Sequence, residues 1–282
     1  MTRLRKFALS TGPSILLALC LPQAMPAQLV LYDNFNSKNI DPTKWIGWQF
    51  YNPDQREAVR ELVLPPGGNG IQASVKGRRL HIFERDDATT TDDNGSNGDT
   101  FGLAFTNPAA VTEASFRVTV NHAEAVACSS NPSQTVTDAE FRGNFFNTDA
   151  TPVSQIGDVV GAIAITRAPT DTGRALRVVG FYARCGDQYC GNQTTLGVVV
   201  IGYVQPGEPA TLRIKWDQPK HQFVFQLNHQ PEVASPYTVS DTTPAVFPYK
   251  FVGVARVVAH CTATPTAYTA IDAHFDNVYV NP

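Results

Sequence analysis

The densest run of chemically useful side chains in this sequence is Asp138-Ala-Glu140-Phe-Arg142-Gly-Asn144. Polar residues take every second position, and Ala139, Phe141, Gly143 and Phe145 take the alternate ones. On a strand, side chains alternate between two faces, so Asp138, Glu140, Arg142 and Asn144 share one surface. A polar row backed by an apolar one suits a strand that covers a core on one side and lines a groove on the other. Two carboxyls at i and i+2 stand ~7 Å apart, which is loosely compatible with either geometry of two-carboxylate hydrolysis. Such a pair can take up and return protons. The plainer alternative is a solvated sheet face with a Glu140–Arg142 ion pair, which contributes little.

Other reaction classes leave weaker traces. There is no G-x-S-x-G elbow, H-E-x-x-H helix, P-loop or dinucleotide fingerprint. The six histidines, His81, His122, His221, His229, His260 and His274, are scattered. None stands at ligand spacing from another, so they read as ordinary surface or core residues. Asp86 to Thr100 is a run of Asp, Thr, Asn and Gly. Starting at Asp92 or Asp93, it misses the calcium-loop pattern of alternate oxygen ligands, a sixth-position Gly and a twelfth-position Glu. It reads as a mobile surface loop, with a weak calcium site as the alternative.

The polar row needs a sheet to hold it, and the chain supplies strands at regular intervals. Ala114, Phe116, Val118 and Val120 alternate with Ser115, Arg117, Thr119 and Asn121. Further strands are expected over 135–146, 158–167, 176–184, 196–204, 210–216, 221–227 and 251–258, with shorter ones at 57–64, 71–75 and 79–84. The last is 271–281, with Ile271, Ala273, Phe275, Asn277 and Tyr279 on one face and Asp272, His274, Asp276, Val278 and Val280 on the other. Its neighbour is expected to be the opening segment 29–35, which would bring the two ends together. Trp45 reads as core; Trp48 is either core or an exposed platform on which a sugar ring stacks. No amphipathic helix of three turns, fixed-period repeat or linker is visible. The sequence predicts one all-β domain over residues 28–282, most simply two stacked antiparallel sheets.

The 282 residues are 43% hydrophobic and 17% charged, a globular composition. Arg3, Arg5 and Lys6 precede the apolar run 15–21, so residues 1–27 read as a signal peptide, with Ala24 or Ala27 at the cut. A lipidated Cys20 and an uncut anchor are the alternatives. Its loss would leave 19 Lys and Arg against 25 Asp and Glu, a net charge of −6. That argues against nucleic acid, which needs a basic footprint. No later stretch is long and apolar enough to span a membrane. The chain is therefore expected to be secreted or periplasmic. Four cysteines remain after the cut, an even number that favours two disulfides in an exported protein. Cys185 and Cys190 enclose only GDQY, which suits a bridge across a turn, and Cys128 would then pair with Cys261. A zinc site is the rival, weakened because C-x4-C has no adjacent Cys or His pair.

Three stretches carry a family resemblance: the opening YDNF…DPTKW (32–45), the middle TLRIKWDQPKHQFVFQL (211–227) and the closing AHFDNVYVN (273–281). Together they resemble the concanavalin A-like lectin/glucanase superfamily. The whole mature length is similar to a group of secreted bacterial proteins. The resemblance implies a jelly-roll sandwich with first and last strands adjacent, one sheet concave, and often a carbohydrate ligand. The endoglucanases of this superfamily carry Glu-x-Asp-x-Glu on one strand of the concave sheet, and that pattern is absent here. Glu57 and Glu61 have Val59 between them where the Asp should stand. The expectation is a non-catalytic sandwich that binds a glycan or surface polymer through Asp138, Glu140, Arg142, Asn144 and Trp48. The alternatives are a polysaccharide hydrolase or lyase using Asp138 and Glu140, and an adhesion protein without a small ligand. No cofactor is required. Related sandwiches often hold a structural calcium where first and last strands meet. Asp33 and Asp276 would be its carboxylates, unless both are turn or edge groups that accept from backbone N–H.

Overall fold

The computed structural model describes residues 28–37, 40–50, 70–75, 79–88 and 92–282, without the side chains of 48–50 and 70–75. The expected signal peptide at 1–27 and strand at 57–64, with Glu57 and Glu61, lie outside the described residues, as does the side chain of Trp48. In chain order the first eight strands are β1 (Val30–Asp33), β2 (Trp45–Phe50), β3 (Gly70–Val75), β4 (Leu80–Asp87), β5 (Ser96–Phe105), β6 (Glu113–Val126), β7 (Val136–Asn147) and β8 (Asp158–Arg167). The next eight are β9 (Leu176–Cys185), β10 (Gln193–Val204), β11 (Pro209–Asp217), β12 (Gln222–Leu227), β13 (Val233–Pro236), β14 (Thr243–Pro244), β15 (Lys250–Ala259) and β16 (Tyr268–Val280). Among the described residues the helical elements are two three-residue 3-10 turns.

The strands form two antiparallel sheets. The first has the order β13-β12-β11-β6-β16-β4-β3, with β1 also on β16; the second is β10-β9-β8-β7-β15-β5-β2, with β14 on β7. The ends of the chain do lie side by side, Val30 opposite Val280 and Leu31 opposite Tyr279. The core lies between the sheets. Leu80, Ile82, Phe116 and Phe275 of the first meet Phe105, Phe141, Ile163 and Val252 of the second. Alternation explains the choice: each residue is one of a set spaced by two along its strand. Trp45 belongs to this core, its ring centroid 4.7 Å from Phe105 and 4.9 Å from Tyr32.

Two disulfides join Cys128 to Cys261 and Cys185 to Cys190, the pairing expected from the spacing. Cys128 and Cys261 form a small apolar cluster with Val258, Ala259 and Ala267 at one end of the sandwich.

Two expectations fail for local reasons. The last strand does not keep one alternation to its end. Ile271, Ala273 and Phe275 face the core, but so do Val278 and Val280, while Tyr279 is exposed. Asn277 takes φ +48°, and the register against β6 shifts between Asp276 and Tyr279. The extra residue of this bulge turns every later side chain to the other face. It also separates the length of β16 that pairs with β4 from the length that pairs with β1. The polar loop is the second case. Asp86 and Asp87 end β4, and Ser96 to Thr100 begin β5. Asp93 accepts from Ser130 Oγ at 2.7 Å and from the Thr262 amide at 2.6 Å, and Asp92 lies 2.7 Å from His260. Such anchored carboxylates leave only a short connection.

Candidate functional site

β7 runs through the middle of the second sheet, paired with β8 on one side and β15 on the other. Its inner residues Ala139 and Phe141 are in the core. Asp138, Glu140 and Arg142 therefore project from the outer face. Cross-strand register fixes what surrounds them. Glu140 stands opposite Gly253 on β15 and Ala164 on β8; Gly253 stands opposite Gly102, and Gly102 opposite Trp48. One step along, Asp138 is flanked by Ala255 and Thr166, and Thr166 by Arg177. One step the other way, Arg142 is flanked by Ala162, and Ala162 by Phe181. Small residues thus flank Glu140 on both sides, whereas Arg142 has Phe251 beside it on β15.

The two glycines are required by their packing. A Cβ at Gly102 would lie 2.2 Å from the Val252 carbonyl oxygen, and one at Gly253 would lie 2.2 Å from that of Phe101. Beside them, over the outer face of β7 to β9, lies a cleft of about 540 Å³. Its walls include Asp138, Arg142, Thr166, Arg177, Val179 and Phe181.

Within the cleft the polar groups are unequal. Arg142 lies with its guanidinium carbon 4.9 Å from the Phe181 ring centroid, a cation–π distance. Its Nε is 3.1 Å from Glu140 Oε1, an ion pair whose angle is not that of a hydrogen bond. The Glu140 side chain is 0% exposed. Burial pushes its carboxyl up to about 7; Arg142 draws it down and Asp138 draws it up. Asp138 is half-buried. Its carboxyl is also raised, first by burial, against the pull of a Thr166 hydrogen bond and of Arg142 and Arg177. Arg177 is held by Asp171 at 2.6 Å.

Asn144 does not join this group. It is buried, and its side-chain amide donates to Asp158 Oδ2 at 3.1 Å. Asp158 also accepts from Asn147 at 2.7 Å and from the amides of Val246 and Phe247. This carboxylate satisfies the backbone of the turn ahead of β15, so Asn144 is a structural residue. Alternation does put it on the face of Arg142, but Asp158 and the turn at Val246 and Phe247 cover it there.

Asp33 and Asp276, the two carboxylates set aside for calcium, have other partners. Asp33 Oδ1 accepts from the Phe35 amide at 2.9 Å and Oδ2 from Trp45 Nε1 at 2.6 Å. It thereby ties β1 to the Trp45 ring on the other sheet. Asp276 accepts from the Asn277 amide at 2.8 Å, within the bulge.

The histidines are less scattered than their spacing suggested. His81 on β4 and His274 on β16 are cross-strand partners. Their rings stack at 4.3 Å with 11° between planes, and Asp272 Oδ1 is 3.0 Å from His81 Nε2. Alternation along each strand carries this signal, but only the pairing of β4 with β16 makes it visible.

No protein-family model matches the sequence, and no curated protein matches it. Solved structures do resemble the fold. An endo-β-galactosidase from Clostridium perfringens that releases GlcNAcα1-4Gal is 9% identical, with a TM-score of 0.40 over 90% of this chain; the chain spans 65% of that protein's length. A β-1,3-1,4-glucanase (lichenase) from a mouse hindgut metagenome is 11% identical, with a TM-score of 0.44 over 89% of this chain and 97% of its own. The winged bean acidic lectin, complexed with methyl-α-D-galactose, is 12% identical, with a TM-score of 0.33 over 84% of this chain and 99% of its own. With scores below 0.5, these resemblances do not by themselves fix the fold; the strand pairing does.

Proposed function

We propose that the chain is a secreted, non-catalytic sandwich that binds a carbohydrate or surface polymer in the cleft over β7. The observation that carries this reading is the contrast between Glu140 and its neighbours. Asp138, Arg142 and Thr166 offer hydrogen-bonding groups to the cleft, and Phe181 and Val179 offer apolar area. This mixture of a few placed polar groups on an apolar wall is what small-ligand sites use. Glu140 is enclosed beneath them. A general acid must come within about 3 Å of the atom it protonates, directly or through one water. A carboxyl with no exposed surface, covered by Arg142, does not meet that condition as it stands. The two disulfides support an oxidising compartment. Among the described residues, no helix is long and apolar enough to cross a membrane.

The test is binding of the purified chain to a panel of immobilised polysaccharides, with reducing ends and unsaturated products measured alongside. The expected result is retention on at least one polymer, no product, and a loss of at least tenfold in affinity in Arg142→Ala and Phe181→Ala. Unchanged retention in both variants would remove the cleft as the site. Product release that disappears in Glu140→Gln would replace binding with hydrolysis or lysis by Asp138 and Glu140.

A further inference from the structure

We infer that the outer face of the other sheet carries a site for a divalent first-row transition ion of the zinc class. Its ligands are His81 Nε2, Asp272 Oδ1, His274 Nδ1 and the side-chain oxygen of Asn121. The ligand atoms of His81, Asp272 and His274 all lie within 4.8 Å of one another. His81 Nε2 is 3.0 Å from Asp272 Oδ1, and His274 Nδ1 is 3.9 Å from the same oxygen. In a tetrahedral site with ligands at about 2.0–2.2 Å, neighbouring ligand atoms stand roughly 3.3–3.6 Å apart. The observed separations bracket that value.

Three strands meet here, and each contributes for a stated reason. Asp272 and His274 are two apart on β16, so alternation places both on the face opposite Ala273, which is in the core. His81 is the β4 residue directly opposite His274. Asn121 comes from β6, where the register against β16 shifts: Val120 pairs with Ala273, but His122 pairs with Asp272. Asn121 is thus the extra residue of a bulge, a device that re-aims a side chain. Its amide nitrogen is 3.1 Å from His274 Nδ1 and 3.4 Å from Asp272 Oδ1. Amide nitrogen and oxygen exchange places on a half-turn of the side chain. That turn brings the oxygen to the same point as a fourth ligand.

The donor set selects the ion. Two imidazoles with a carboxylate suit zinc, nickel, copper or cobalt, whereas calcium and magnesium want oxygen throughout. Binding requires a small rearrangement. The imidazoles now stack face to face, and each lone pair lies in its own ring plane. The rings must hinge apart for both to meet one ion. The side chains of Asp272, His274 and His81 are 30%, 19% and 16% exposed, so an ion can enter from solvent.

The experiment titrates ZnCl2 into the purified, chelator-stripped chain, with calorimetry for stoichiometry and CoCl2 absorption for geometry. One Zn2+ per chain is expected, with a cobalt spectrum of tetrahedral intensity and no competition from CaCl2. His81→Ala and His274→Ala should each weaken zinc at least tenfold, and His122→Ala, an exposed neighbour on β6, should not. A second readout avoids variants. In the unaltered chain, Zn2+ should shift the ring resonances of His81 and His274 and leave those of His221 and His229 in place. Zinc bound equally well by the double variant His81→Ala/His274→Ala, displacement by CaCl2, or unmoved His81 and His274 resonances would each overturn the site.

Discussion

Two carboxylate clusters in this protein are each built round one guanidinium, and they occupy different sides of the same sheet. Arg256 projects from β15 between the sheets. Its Nε is 3.1 Å from Glu84, its Nη1 is 2.6 Å from Asp86, and its Nη2 is 3.6 Å from Asp99. Arg142 projects from the outer face and pairs with Glu140. Both glutamates are perturbed in the same direction, Glu84 to about 8 and Glu140 to about 7, and in both burial is the leading cause. A raised carboxyl therefore does not separate a working site from a structural plug here. Access does. Asp138 and Arg142 line the cleft beside Glu140, whereas the partners of Glu84 close the end of a core. Asp99 and Arg256 line the cleft too, but Glu84 and Asp86 do not.

The sharpest way to break this comparison is to remove the interior guanidinium. Arg256→Ala leaves three carboxylates without their shared cation, and breaking a buried pair in this way costs about 3–5 kcal/mol. Urea unfolding should register that loss. A loss below about 1 kcal/mol would mean that the interior cluster is solvated, and the contrast with the cleft would go. Arg142→Ala should cost less, about 1–2 kcal/mol. Glu140 loses its ion-pair partner, but it can take up a proton at neutral pH. Its larger effect should be the affinity loss already described. An Arg142→Ala variant as unstable as Arg256→Ala would mark the cleft row as scaffold.

Much of this was legible in the chain, and the parts that were not share a cause. Alternation showed the polar row on β7, the core faces of β6 and the first half of β16, and the adjacency of the two ends. Spacing showed both disulfides. Each of these needs only one strand, or two segments with an obvious match. The failures all involve an inserted residue or a third strand. Asn277 in a left-handed conformation reverses the end of β16, and no propensity argument announces a bulge at Asp-Asn. Asp158 of β8, with the turn ahead of β15, takes Asn144 out of the cleft. The Glu84–Arg256 contact joins residues 172 apart, and the meeting of His81 with His274 depends on β4 lying beside β16. The small residues beside Glu140, Gly253 and Ala164, look like ordinary strand interior until the register lines them up with it.

The pH dependence of stability offers a finer comparison. A carboxyl whose folded pKa lies above its unfolded value stabilises the fold fully below the unfolded pKa. That contribution is lost as pH rises through the folded value. Glu140 should therefore lower stability between about pH 4.5 and 7, and Glu84 between about pH 4.5 and 8. Lys250, pushed down to about 7 by burial, works in the opposite sense and adds stability from about pH 7 upward. Glu140→Gln and Glu84→Gln should match the unaltered chain at pH 4 and gain on it by pH 8, by an amount on the order of 1 kcal/mol. Thermal melts across this range test both. A Glu140→Gln variant that loses stability at pH 8 would mean that its carboxylate is stabilised as an anion, which would reopen the acid–base reading of the cleft.

Asp138→Asn should have the smallest effect on stability, within about 0.5 kcal/mol. Asp138 is half-buried, and the amide that replaces it can still bond Thr166 on the neighbouring strand. The two guanidinium groups near it, Arg142 and Arg177, keep Glu140 and Asp171 as partners. Water in the cleft can hydrate whatever the amide leaves unmet. Ligand affinity, by contrast, should fall, because an acceptor becomes partly a donor at the cleft surface. The two readouts together discriminate. Weaker polysaccharide retention with an unchanged unfolding midpoint assigns Asp138 to the ligand. A shifted midpoint with unchanged retention assigns it to the same structural role as Asp86, and the difference between the two clusters would then lie in Arg142 alone.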